Sequence, residues 1–267
     1  MKYWDREWRS GIQLAVRTKS PKTFIYSDLF DSNLAQVWAR MLLAPDHTFL
    51  VLTENIKRTK RILISEEFGL KLLLEALDLR KGRPSTRGIG VTSRIPAENI
   101  WIGVRVSTQR EAEEKIPILL DIPAAHRWIE LVPTQYFDLL AVRDPPGFCR
   151  SSEFSTRNTP LGSLDQVVVS ADMGLWPKPC HLKWVRTIID QCRDAGTHCF
   201  IHRLGRNAIE TDEWGYDVRF KTSRDGSDSE QWPEDIRVRD LAWPVKAKRP
   251  VRTASLRGEI PSPDGED

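Results

Sequence analysis

Two short stretches hold the residues with the clearest chemical potential: Asp172 and Lys178 in one, His202 and Arg203 in the other. A carboxylate, an imidazole and two cations sharing one mouth, with Asp28 as a further carboxylate, could bind a small anion or move a proton. Set against this, polar residues in loops are often simply solvated. Two nucleophile candidates lie nearby. Ser170 needs a neighbouring base; Cys180, followed directly by His181, falls at an expected helix start, where a thiolate would be favoured. Cys192, His198, Cys199 and His202 do not have the spacing of a zinc finger or ribbon. His198 and Cys199, adjacent on an expected strand, point to opposite faces, and Cys192 falls in an apolar helical stripe, so no metal site is expected.

The elements that must position these residues are read from periodicity. Leu164 to Gly205 forms one βαβ unit. The β-branched run Val167-Val168-Val169 ends at Ser170; Leu182, Val185, Ile188, Ile189 and Cys192 recur at helical spacing; Ala195-Gly196 stops the helix; Thr197 to Ile201 is a second strand. Such a unit pairs its strands in parallel, with a right-handed crossover. Chemistry in parallel sheets gathers in the loops after the strands' carboxyl ends, here Ser170 to Lys178 and His202 to Gly205.

Earlier strands are expected at Thr23–Ser27, His47–Thr53, Asn99–Val106 and Arg127–Val132, with helices after the first three. Thr108 and Glu111 have the spacing of a capping box. About six parallel strands make an α/β fold, a partial (β/α) barrel, with a doubly wound sheet as the other arrangement that periodicity allows. Past Gly205 the regular pattern fades, although Trp232 to Arg239 could dock back as a short ordered segment. The expected organisation is a lead-in over 1–21, one domain over 22–244, and a disordered tail over 245–267, basic and then acidic.

Composition narrows the function classes. The formal charge of +3 is too small to argue for nucleic acid by itself. The cations are clustered, however, and Arg80, Lys81, Arg83, Arg87 and Arg94, in a glycine-jointed stretch over 80–94, are candidate phosphate contacts. Gly88 and Gly90 do not form a dinucleotide fingerprint. Charges interrupt the start of the chain and no apolar run approaches the length of a membrane span, so a cytoplasmic protein with reduced thiols and no membrane contact is expected.

Several segments resemble a phage and bacterial family labelled after phage gene products 37 and 68 and regarded as radical-SAM-like. They are Ser27-Asp28-Leu29-Phe30; Leu43 to Phe49 with Val51-Leu52-Thr53; Asn99 to Val104; Ile116 to Leu120; Trp184-Val185-Arg186 through Asp190-Gln191-Cys192; and Trp232-Pro233-Glu234-Asp235 with Arg237-Val238-Arg239. The resemblance implies a TIM-like barrel, a [4Fe–4S] cluster and S-adenosylmethionine. Such proteins carry three cysteines near the N-terminus, the last two as C-x-x-C-Y-A, whose thiolates leave one iron open to the cofactor. This chain has no cysteine before Cys149.

Strand-end positions depart as well. The family's Glu-Pro is Val132-Pro133 here; its Gly-Gly-Glu-Ser-Gly is Ser170-Ala171-Asp172-Met173-Gly174; its Arg-Pro is Lys178-Pro179; its Lys-Gln-Trp-Gly is His202-Arg203-Leu204-Gly205; and its Leu-Thr-Lys is Leu52-Thr53-Glu54. The expectation is therefore a degenerate, N-terminally truncated relative without a cluster, catalytically inactive, binding an anionic ligand through Asp28, Asp172, Lys178, His202 and Arg203. Two alternatives stay open: a radical SAM enzyme whose cluster segment is missing from this chain, and a nucleic-acid-binding protein working through 80–94. Whether the chain is an enzyme is left undecided. A barrel lacking a strand exposes an edge, which residues 1–21, the tail or a second chain would cover.

Overall fold

Short runs of β-branched and aromatic residues alternate with amphipathic stripes along this chain, and the computed structural model turns each into an element. It describes residues 23–27, 34–80, 97–144, 159–222 and 225–242, with backbone alone for 23–27 and Arg80. Asp28, Lys81, Arg83, Arg87, Arg94, Cys149, the lead-in and the tail over 245–267 lie outside the described residues. In chain order the elements are β1 (Thr23–Ser27), α1 (Leu34–Leu42), β2 (Thr48–Thr53), α2 (Ile56–Leu63), α3 (Glu66–Arg80), β3 (Ile100–Val106), α4 (Gln109–Leu120), β4 (His126–Leu131), β5 (Gln166–Ser170), β6 (Cys180–His181), α5 (Leu182–Ala195), β7 (His198–Arg203), β8 (Ala208–Thr211) and β9 (Asp217–Arg219). Helix ends follow local chemistry. Asn55 caps α2 by accepting from the Arg58 N–H. Thr108 caps α4 by accepting from the Glu111 N–H, while Glu111 reaches back to the Ser107 N–H at 2.6 Å. Gly196, at φ 72°, closes α5 in the left-handed region.

The main sheet has six strands in the order β1-β2-β3-β4-β5-β7, all parallel. A doubly wound sheet reverses its strand order part-way, which places helices on both faces. Here the order runs in one direction and the helices lie on one face. Phe49, Val51, Ile102, Val104, Ile129, Leu131, Val167, Val169 and Ile201 pack with residues of α1 to α5 in one core. The alternate positions Leu50, Leu52, Trp101 and Trp128 form a second, smaller cluster with Val168, Leu241 and Ala242 and with no helical residue. Among the described residues the sheet does not close into a barrel.

Two differences from the sequence reading have simple causes. Past Gly205 the described residues form further structure: β8 and β9 make a hairpin that pairs with β6, a small second sheet in the order β6-β8-β9. Its strands are two to four residues long, too short for periodicity to reveal. Arg80 ends α3 rather than opening a loop. The segment Trp232 to Arg239 docks back as the sequence allowed: Trp232 and Ile236 are buried, and Val238 to Asp240 lies along the free edge of β7, where Val238 O accepts from Ile201 N–H and Asp240 N–H donates to Cys199 O.

Candidate functional site at the strand ends

The face of the sheet opposite the helices changes character along the strands. At the amino end it is apolar and aromatic. Gly103 stands in register with Trp128, and a Cβ on Gly103 would come within 2.3 Å of the indole, so the missing side chain is what lets the ring lie across β3. Trp101 stacks on His126 at 4.2 Å. Gln166, fully buried, holds the returning chain: its Nε2 donates to Asp240 O and its Oε1 accepts from Ala242 N–H.

Toward the carboxyl ends the same face becomes charged. Arg105 and Glu130 are register partners, and Arg105 Nε donates to Glu130 Oε2 at 2.8 Å, with a second guanidinium nitrogen 2.7 Å from the same oxygen. Glu54, just past β2, is 3.9 Å from Arg105. The next positions along this face are Ser170 on β5 and His202 on β7.

A bulge organises this end of the sheet. Val169 pairs with Ile201, but Ser170 pairs with Arg203, so β7 carries one extra residue. Consecutive strand residues normally point to opposite faces; a bulge re-aims one of them. His202 and Arg203 consequently converge on one hydroxyl. Arg203 Nε donates to Ser170 Oγ at 3.0 Å, and Nδ1 of His202 lies 3.5 Å from it. The remaining guanidinium nitrogens of Arg203 make no hydrogen bond to a described residue. Burial holds the His202 imidazolium below its ordinary pKa, the adjacent Arg203 cation adds to this, and Glu130 and Asp225 oppose it. The result is an imidazole held toward its neutral form beside a cation whose remaining donors bond no described residue, with the Asp225 carboxylate also acting on it, a geometry that can take an anion. At 3.5 Å, with a cation already donating to the hydroxyl, Ser170 is not arranged as an activated nucleophile.

The other sequence candidates sit differently. Asp172 turns into its own loop, accepting from the Gly174 and Lys178 N–H groups; burial pushes its acidity down, but these bonds outweigh it and lower its pKa. Lys178 is exposed, and its ammonium makes no hydrogen bond among the described residues. Cys180 lies in β6 directly before His181, the N-cap of α5, but it is buried and burial pushes its thiol up to about 12, so the thiolate reading of Cys180-His181 is corrected. Sequence reading missed Arg105, Glu130 and the bulge. The first two carried a signal, since charges inside strands of a parallel sheet contradict the usual apolar run. The bulge, a pairing property, carried none.

The thiols also bear on an iron–sulfur cluster. Cys180, Cys192 and Cys199 are buried in the core on the helix side; contact with Cys199, and then burial, keep the Cys192 thiol well above its ordinary pKa. Among the described residues no three His, Cys, Asp or Glu side chains converge on a common point. This donor set does not fit a four-iron cluster.

The fold and the site define a class: a mixed α/β protein with one parallel sheet and polar groups at its carboxyl ends. More specifically, the chain matches the family described as protein of unknown function (DUF5131) over residues 4–251, and it belongs to that family. No curated protein and no solved structure matches it. No helix among the described residues is long and apolar enough to cross a membrane.

Proposed function

We propose that this protein is a radical-SAM-like member of its family, of the phage-related kind the sequence resembles, that holds no iron–sulfur cluster of its own and binds a small anionic ligand at Ser170, His202 and Arg203. One observation carries the anion reading: the β7 bulge brings Arg203 and His202 to one hydroxyl at the strand ends and fixes the Arg203 guanidinium there through Nε. The unidirectional parallel sheet, with the described helices on one face, supports a partial-barrel ancestry. The neutral, core-bound thiols support a binding role over radical chemistry.

Titration calorimetry with inorganic pyrophosphate tests the anion site. The wild-type chain should bind, and Arg203→Ala should weaken binding by about tenfold or more, the loss of one charge-assisted pair. Equal binding by the two proteins, or none by the wild type, overturns the site. Anaerobic iron reconstitution tests the rest: a four-iron absorption spectrum overturns the cluster-free reading in favour of an enzyme.

A further inference from the structure

Beside the proposed anion site stands a surface that the packing of the fold does not require. In the loop between β5 and β6, Met173, Leu175 and Trp176 point to solvent, with Leu175 81% and Trp176 88% exposed. Exposed aromatic residues are common on mobile loops, but this loop is tied down. Asp172 accepts from two of its backbone N–H groups. The Arg206 guanidinium donates to the Gly174 carbonyl at 2.7 Å, and Asn207 Nδ2 to the Pro177 carbonyl at 2.9 Å. Pro177 and Pro179 restrict its backbone further. The backbone that carries Trp176 is thus held in place while its indole stays exposed.

Charge indicates what meets it. Residues 171–183 and 203–207 carry Lys178, Lys183, Arg203 and Arg206 against Asp172, which the loop's own N–H groups already satisfy, with Asp217 3.7 Å from His181 and Asp225 acting on Arg203. The β8–β9 turn also shows exposed aromatics, Trp214 and Tyr216, but among Asp212, Glu213 and Asp217, whose charge does not suit a phosphate. An exposed indole on a loop that also carries the exposed Lys178 and is held by the Arg206 guanidinium matches a ligand that alternates flat π-faces with phosphates.

We infer that the β5–β6 loop is a stacking platform for single-stranded nucleic acid, with a base on Trp176 and phosphates on Lys178, Arg206 and the Arg203 site. This rests on the anion reading above for its Arg203 end. It differs from a role for 80–94 in the residues used.

Fluorescence anisotropy of an end-labelled, mixed-sequence 12-nucleotide single-stranded DNA, titrated with the full chain at low salt, is the test. Binding should weaken with added salt, fall on the order of tenfold or more in Trp176→Ala, and recover largely in Trp176→Phe. Trp176 is solvated, so its truncation leaves folding intact, and Trp176→Ala should bind pyrophosphate like the wild type. Equal oligonucleotide binding by wild type and Trp176→Ala, or no binding by a wild type that does bind pyrophosphate, overturns this inference and leaves the anion site standing. Loss of pyrophosphate binding in the wild type itself brings down the parent reading instead. A concentration-dependent dimer in sedimentation that Trp176→Ala abolishes would assign the loop to a second copy and overturn the inference as well.

Discussion

His202 shows most directly how environment sets chemistry in this protein. Its imidazole is half-buried and shares Ser170 with a guanidinium, so protonation costs more in the folded chain than the ordinary value of 6.5 implies. The sign of the linkage follows. Because the folded pKa is lowered, the unfolded chain binds the extra proton first, and the stability that the neutral ring contributes is complete above about pH 6.5 and is lost as the pH falls below it. Denaturant unfolding between pH 8 and pH 5 should therefore show a steeper loss for the wild type than for His202→Asn; parallel curves would refute the linkage. A pyrophosphate ion at Arg203 should raise the His202 pKa, a shift that histidine NMR titration with and without the ion would read.

Among the elements, β3 and β4 carry the clearest packing constraint. Gly103 and Trp128 face one another on the helix-free side, and the ring occupies the space a Cβ would take. The indole is rigid and 2% exposed, so it cannot swing clear. Gly103→Ala should cost about 1–3 kcal/mol in urea unfolding, the usual range for overpacking. In a Trp128→Leu background the same substitution should cost much less; an equal cost would place the strain elsewhere. The segments that carry the family resemblance also meet in space. Arg186 on α5 pairs with both oxygens of Glu210 at 2.8 and 2.9 Å and with Asp235 at 2.5 Å. Gln191 on the same helix fixes the loop after β4, accepting from Leu139 N–H and donating to Phe137 O.

For the molecule as a whole, the decisive feature is a parallel sheet that does not close among the described residues, with a returning chain laid on its last strand. Unpaired strand edges invite association, and Val238 to Asp240 occupies part of the β7 edge while Trp232 and Ile236 anchor that segment from below. Trp232→Ala should cost about 3–5 kcal/mol, the range for truncating a buried aromatic. It should also release the segment, so that size-exclusion chromatography shows self-association absent from the wild type. A variant that stays monomeric with unchanged unfolding would show that the edge is protected by other means.

Strand positions, helix stripes, the Thr108 cap and the Gly196 stop were legible in the sequence because they depend on neighbours only a few residues away. His202 and Arg203 could be picked out as strand-end polar residues for the same reason. That both serve one hydroxyl could not be read, since it depends on a single-residue slip between β5 and β7, which lie about thirty residues apart in sequence. The partnership of Arg105 with Glu130, the burial that disarms Cys180, and the choice of a unidirectional sheet over a doubly wound one have the same origin. Periodicity tells each segment which face is apolar; only strand pairing and three-dimensional packing decide which segments become neighbours, and with that which charges meet.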